Sequence, residues 1–150
     1  MRDQHRRGFS LIELLIVLVV IGILAAIAIP SADKQIRLAR EHAAQRTITT
    51  IHQAETQYFA RYGRYAATLA ELGPPATGEA GPAAANFISK DLAEGRKSGY
   101  VFTVSASPEG YTVLAMPDSA SCRSFFSDAT MVLRESTSKE PANTNSPEIK

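Results

Sequence analysis

The hydrophobic and polar positions divide the chain into four stretches. From Phe9 to Ile29 it reads FSLIELLIVLVVIGILAAIAI, with Ser10 and Glu13 as the only strongly polar side chains. At ~1.5 Å per residue, such a run forms a helix about as long as the ~30 Å hydrocarbon core of a bilayer is thick. A helix also satisfies its own backbone hydrogen bonds in lipid. From Ser31 to Tyr62 the pattern becomes amphipathic. Ile36, Ala39, Ala43, Ala44, Ile48, Ile51, Ala54, Tyr58, Phe59 and Tyr62 recur at spacings of three and four, the period of one helix face. Lys34, Arg37, Arg40, Glu41, Arg46, Gln53 and Arg61 fall mostly on the other side. Gly63 is the expected C-cap, so one helix should run from about Phe9 to Tyr62.

Beyond Gly63 the helical period is lost. Gly73-Pro74-Pro75 through Ala85 reads as a loop, and Phe87–Glu94 as a short helix ended by Gly95. Tyr100–Val104 and Tyr111–Ala115 alternate with period two around a Ser107–Gly110 turn, which predicts a hairpin. Ser124–Ser127 and Met131–Arg134 predict a weaker second hairpin around Asp128-Ala129-Thr130. Residues 136–150 are polar and carry Pro141 and Pro147, and are expected to be a frayed tail. A helix stripe on a small antiparallel sheet of three or four strands is an α+β, two-layer unit.

Composition narrows the function classes. The 150 residues carry a formal net charge of +1, which argues against a strongly basic nucleic-acid binder. A single cysteine, Cys122, excludes an internal disulfide framework and a thiol-rich metal site. Local charge says more. Arg2, Arg6 and Arg7 precede the apolar run, and no equal cluster follows at once, so the N-terminus should stay cytoplasmic and the C-terminal part be exported.

Three readings fit the N-terminal segment. A secretory signal peptide would be cut near Ala25-Ala26-Ile27-Ala28, but its apolar core spans only ~7–15 residues. A plain membrane anchor accounts for everything except Glu13, because a carboxylate inside an apolar span is costly and marks function. The third reading rests on Arg7-Gly8-Phe9-Ser10-Leu11-Ile12-Glu13-Leu14, which resembles the class III signal of type IV prepilins and type II secretion pseudopilins. In that family a prepilin peptidase/methyltransferase cuts after the glycine and methylates the new N-terminal phenylalanine. The resemblance therefore implies cleavage between Gly8 and Phe9 and N-methylation of Phe9. Glycine also suits close approach of an enzyme to extended backbone. Cleavage creates an α-amino group that a filament core would bury at high cost if unpaired. The resemblance implies that Glu13 of one subunit pairs with Phe9 of its neighbour, and a single buried polar pair can set register. Gly22 and Pro30 occupy the family's positions for a helix break, and Pro30 removes one backbone hydrogen bond.

The same resemblance extends to Tyr62-Gly63-Arg64-Tyr65, which is similar to the segment following the helix in pilins and G-type pseudopilins. It implies a lollipop: a long N-terminal helix with a membrane or filament-core half and an amphipathic half packed on the sheet. The expected organisation is a cleaved leader 1–8, a core helix half 9–30, a globular domain 31–135 (helix 31–62, loop 63–99, sheet 100–135) and a flexible tail 136–150. The implied function is a structural subunit of a type IV pilus-like filament, a fimbrium. Its implied partners are further copies or related pilins, the prepilin peptidase/methyltransferase, the inner membrane and an assembly platform, and no nucleic acid. Alternatives are a type II secretion pseudopilin and, from another class, a non-polymerising membrane-anchored binding module.

Catalytic chemistry is not expected. His5 falls in the leader, and His42 and His52 lie on different helix faces. His52 and Glu55 could touch a metal at i,i+3 but read more simply as a solvated polar face. Asp118 and Asp128 flank a loop comparable to the calcium loop of G-type pseudopilins, yet two carboxylates ten residues apart do not make a site. No serine or cysteine has a credible histidine partner, and no phosphate loop or cofactor motif is present. Tyr58, Phe59, Tyr62 and Tyr65 read as packing under the sheet. Many pilins close a C-terminal loop with a disulfide, and Cys122 alone departs from that pattern.

Overall fold

A computed structural model describes residues 9–137 and 140–149, with the side chains of 27–31 outside the described set. The chain divides into two units, residues up to Ile36 and residues from Arg37 onward. One helix, α1 (Leu11–Tyr62), runs from the first into the second. Gly22 and Pro30 both lie inside it, and neither ends it. Long helical flanks on each side of Pro30 carry the backbone past one missing hydrogen bond.

In the first unit every described side chain is exposed. Among the described residues no helix is long and apolar enough to cross a membrane. The apolar stretch expected to span one continues to Ile29, through side chains outside the described set.

In the second unit the inner stripe of α1 is Ala44, Ile48, Ile51, Ala54 and Tyr58, all buried. Gly63 adopts φ +72° and donates to the Phe59 carbonyl at 2.8 Å, the left-handed cap that a glycine supplies without strain. Two single-turn helices follow, α2 (Leu69–Leu72) and α3 (Lys90–Ala93). Five strands then form an antiparallel meander in sequence order: β1 (Arg96–Lys97), β2 (Tyr100–Ser107), β3 (Gly110–Pro117), β4 (Ser124–Asp128) and β5 (Arg134–Ser136). The pairing Phe102↔Ala115 and Ala115↔Phe125 puts these side chains on one sheet face. Tyr100, Phe102, Val104, Val113, Ala115 and Phe125 are all buried in a single core with α1, α2 and α3. The architecture is a long N-terminal helix followed by a small antiparallel sheet, the expected α+β class.

Several details differ from the sequence expectations. The region expected as loop 63–99 contains α2, α3 and β1. The sheet therefore has five strands, because β1 is too short to show any alternation. The short helix expected over Phe87–Glu94 is reduced to α3, because the Phe87 and Ile88 N–H groups both bond the Leu72 carbonyl instead. In the second hairpin, the expected strand Met131–Arg134 is displaced to β5. Met131 has φ +62° and its N–H closes a turn onto the Asp128 carbonyl at 2.9 Å.

The segment after Ser136, expected to fray, returns to the sheet. Ala142 is buried and donates its N–H to Ser124 Oγ at 3.0 Å. Glu135 N–H bonds the Pro147 carbonyl, and Ile149 N–H bonds the Leu133 carbonyl, each at 2.9 Å. Arg134 reaches the Ser146 carbonyl at 3.0 Å and the Glu148 carboxylate at 2.8 Å. Backbone pairing supplies what a polar composition does not signal.

Candidate assembly site and its anchorage

Gly8 lies outside the described residues. Phe9, on the other side of the expected cut, is 81% exposed. Ser10 precedes the first turn of α1, and its carbonyl accepts the Leu14 N–H at 3.2 Å. The Glu13 carboxylate folds back and accepts the Ser10 N–H at 3.1 Å. Ser10-x-x-Glu13 is thus one half of a capping box, with a negative charge at the positive end of the helix dipole. The spacing Ser10-x-x-Glu13 is itself a sequence signal for such a cap.

Beyond it, Leu11 through Leu24 present an apolar surface on all sides, from 90% exposed at Leu11 to 49% at Val17. A helix hydrophobic all round is stable only inside lipid or among other helices. A Cβ built on Gly22 would meet nothing within 4 Å, and the Glu13 carboxylate bonds Ser10 of its own chain.

The globular unit is fastened to α1 by polar side chains that sequence reading placed on the solvent side. Glu41 is 3% exposed and faces the sheet. Its carboxylate meets the Arg123 guanidinium at 3.0 Å and accepts the Arg123 backbone N–H at 3.2 Å. Arg123 continues to Glu135 of β5 at 2.7 Å, so one guanidinium ties helix, loop and edge strand together. About three turns further along, His52 is buried, not solvated. Tyr111 Oη of β3 lies 2.6 Å from its Nδ1, and Ser127 Oγ of β4 lies 2.8 Å from its Nε2. Ser127 donates to the Val132 carbonyl at 3.0 Å, so it accepts from Nε2–H and leaves Nδ1 to accept from Tyr111. That arrangement satisfies a neutral ring. Burial lowers the His52 pKa from its usual value, and the nearby Asp128 charge offsets this only in part.

Glu55, the other half of the expected polar face, is fully buried. One oxygen accepts the Ala66 N–H at 2.9 Å, and the other has no hydrogen-bond partner. Burial raises its pKa to about 7, against the lowering effect of the Ala66 bond. Glu71 nearby is organised differently. Arg64 at 2.8 Å, Tyr58 Oη at 2.9 Å and the Ala67 N–H at 3.3 Å converge on one oxygen. Burial pushes its pKa up, but these bonds outweigh it and hold the carboxyl below its usual range. Around this cluster Tyr58 packs on Tyr62, and Tyr65 lies between Phe59 and Tyr111, with centroids 4.7 to 4.9 Å apart. Phe59 remains 46% exposed at the edge of that stack.

His52 and Glu55 therefore lie in the core, which corrects the expected solvated face. Among the described residues no group of three His, Cys, Asp or Glu side chains could hold a metal ion. Asp128 is engaged with the Thr130 N–H and hydroxyl. Cys122 is a free, half-buried thiol.

Residues 3–29 match the family described as the prokaryotic N-terminal methylation motif. The chain is 40% identical over 71 residues to the type IV major pilin protein PilA of Myxococcus xanthus, covering 47% of this chain and 32% of the relative. Over its matched N-terminal stretch the chain is similar to type IV pilins. It is also 36% identical over 77 residues to the fimbrial protein EcpC of Eikenella corrodens, covering 51% of this chain and 50% of that protein. The chain thus spans about a third to a half of the length of the curated relatives it matches. No solved structure matches it. The matched methylation motif contains Gly8, Phe9 and Glu13, and the capped start of α1 lies within it.

Proposed function

We propose that the chain is a structural subunit of a type IV pilus-like filament, without catalytic activity of its own. The observation that carries this reading is the start of α1: a methylation motif, a glutamate in the first turn, and an exposed apolar helix surface. The names of the two relatives, a major pilin and a fimbrial protein, favour the pilus over the secretion pseudofilament. In this reading a prepilin peptidase/methyltransferase cuts between Gly8 and Phe9 and methylates the new amine. The subunit waits in the inner membrane with its globular unit outside. On assembly the apolar helices pack together, and Glu13 exchanges its own chain's Ser10 N–H for the Phe9 ammonium of a neighbour. That exchange matches charge to charge in a medium where an unpaired carboxylate would be costly. Gly22 and Pro30 are the positions where the helix can yield to fit the filament.

Intact mass spectrometry on filaments sheared from the cell surface tests this. Removing residues 1–8 from 150 leaves a mature chain of 142 beginning at Phe9, expected with one added methyl group. A chain starting at Met1, or one cut after Ala28, would overturn the proposal. Presence of the processed chain in the envelope alone would replace the surface pilus with a pseudopilin role.

A further inference from the structure

The basic side chains of the globular unit are unevenly matched. Arg64, Lys90, Arg123 and Arg134 each pair with a carboxylate. Arg37 bonds the Ser121 carbonyl, and Arg61 lies over the Tyr62 ring. Among the described residues of this unit, Arg40, Arg46, Arg96 and Lys97 are the cations with no hydrogen-bond, ion-pair or ring partner. Two of them, Arg46 of α1 and Lys97 of the β1–β2 hairpin, line one cleft. It is open, has a volume of about 500 Å³, and is lined by Ala39, His42, Arg46, Thr50, Lys97 and Ser98 among others. Arg40 flanks it: a Cβ built on Gly99 would touch the Arg40 side chain at 3.5 Å. No acidic residue lines the cleft. Asp118 meets the hairpin through its backbone, its N–H donating to the Gly99 carbonyl at 3.0 Å.

We infer that this cleft binds an oligophosphate, a chain of linked phosphate groups. Unpaired like charges held side by side repel one another, and an anion laid between them removes that repulsion. Arginine and lysine are the side chains that bind phosphate oxygens best. The size and spread of the cleft favour several linked groups over one. Arg46 comes from a helix and Lys97 from a separate hairpin, with Arg40 flanking, and the cleft's volume is in the range of small-molecule sites. The hairpin turn itself does not cradle a single oxyanion. Ser98 and Gly99 both have positive φ, +54° and +78°, so their N–H groups do not form the mixed αR–αL nest that does.

The test is isothermal titration of sodium tripolyphosphate into the full chain in neutral detergent micelles at about 0.01 M ionic strength, where screening is weakest. Wild type is expected to bind at one site. The double variant R46Q/K97Q changes two exposed side chains and is expected to weaken binding at least about tenfold, about 1.4 kcal/mol. The control variant R61Q removes a cation of the same helix outside the cleft and is expected to stay within about twofold of wild type, a difference under about 0.4 kcal/mol. Trisodium citrate, similar in charge but built of carboxylates, is expected to bind more weakly than tripolyphosphate. No binding by wild type, equal loss in R61Q, or equal affinity for citrate would each overturn the inference.

Discussion

Replacing Glu55 by glutamine should stabilise the globular unit at neutral and alkaline pH and leave it nearly unchanged in acid. Glu55 is fully buried, and its second oxygen lacks a partner, so the folded state favours the protonated carboxyl. Its pKa rises from 4.5 to about 7. At about 1.36 kcal/mol per pH unit, the difference of roughly 2.5 units corresponds to about 3 kcal/mol. The sign follows from proton uptake. Between pH 4.5 and 7 the folded chain holds a proton that the unfolded chain has released, so stability falls as pH rises through this window and is level above it. Glutamine keeps an acceptor for the Ala66 N–H and carries no charge to desolvate. The stability difference between E55Q and wild type should therefore be close to constant below pH 4.5, grow through the window and reach about 3 kcal/mol at pH 8. The assay is urea unfolding of the full chain in micelles, followed by tyrosine circular dichroism at a series of pH values. His52 also contributes to the pH dependence of each protein, with stability lost as pH falls through its lowered pKa, but it cancels in the difference. A pH-independent difference, or a variant weaker than wild type at pH 8, would refute the reasoning.

Arg123→Met should cost about 3–5 kcal/mol in the same unfolding assay, because it strands the buried Glu41 carboxylate. Glu41→Gln should cost less, since Arg123 keeps Glu135 and partial solvent contact. Gly63→Ala forces a side chain into φ +72° and should cost about 1–2 kcal/mol, visible as a lower urea midpoint with unchanged slope. Glu13→Ala, under the proposed function, should abolish or greatly reduce sheared filaments on electron micrographs while the processed subunit still accumulates in the membrane. Normal filament yield would contradict the pairing role.

The parts of the fold that depend on local pattern were readable in the sequence: the apolar run, the Gly63 cap, and the β2–β3 hairpin with its turn from Ser107 to Gly110. The parts that depend on distant partners were not. Glu41, His52 and Glu55 share the inner stripe of α1 with Ile48 and Ile51, and polarity alone assigns such residues to solvent. Their burial becomes tolerable only through Arg123, Tyr111, Ser127 and the Ala66 N–H, 11 to 82 positions away. No short-range signal announces those bonds. The C-terminal segment follows the same rule. Its attachments are mostly backbone bonds and one arginine, which composition does not register. At the N-terminus the capping bond of Glu13 to Ser10 is local, but it sits in a motif usually sought in soluble helices.

The return of residues 146–149 to β5 has a bearing on crowding. An antiparallel sheet has two outer strands, and each offers a row of backbone donors and acceptors to any strand that drifts alongside. Here β1 is two residues long, and β5 is paired on its outer side by the chain's own last described residues. Copies held at high local density could otherwise join sheet to sheet in registers that lead to aggregates. With β5 covered by its own chain, contact along that margin is left to side chains.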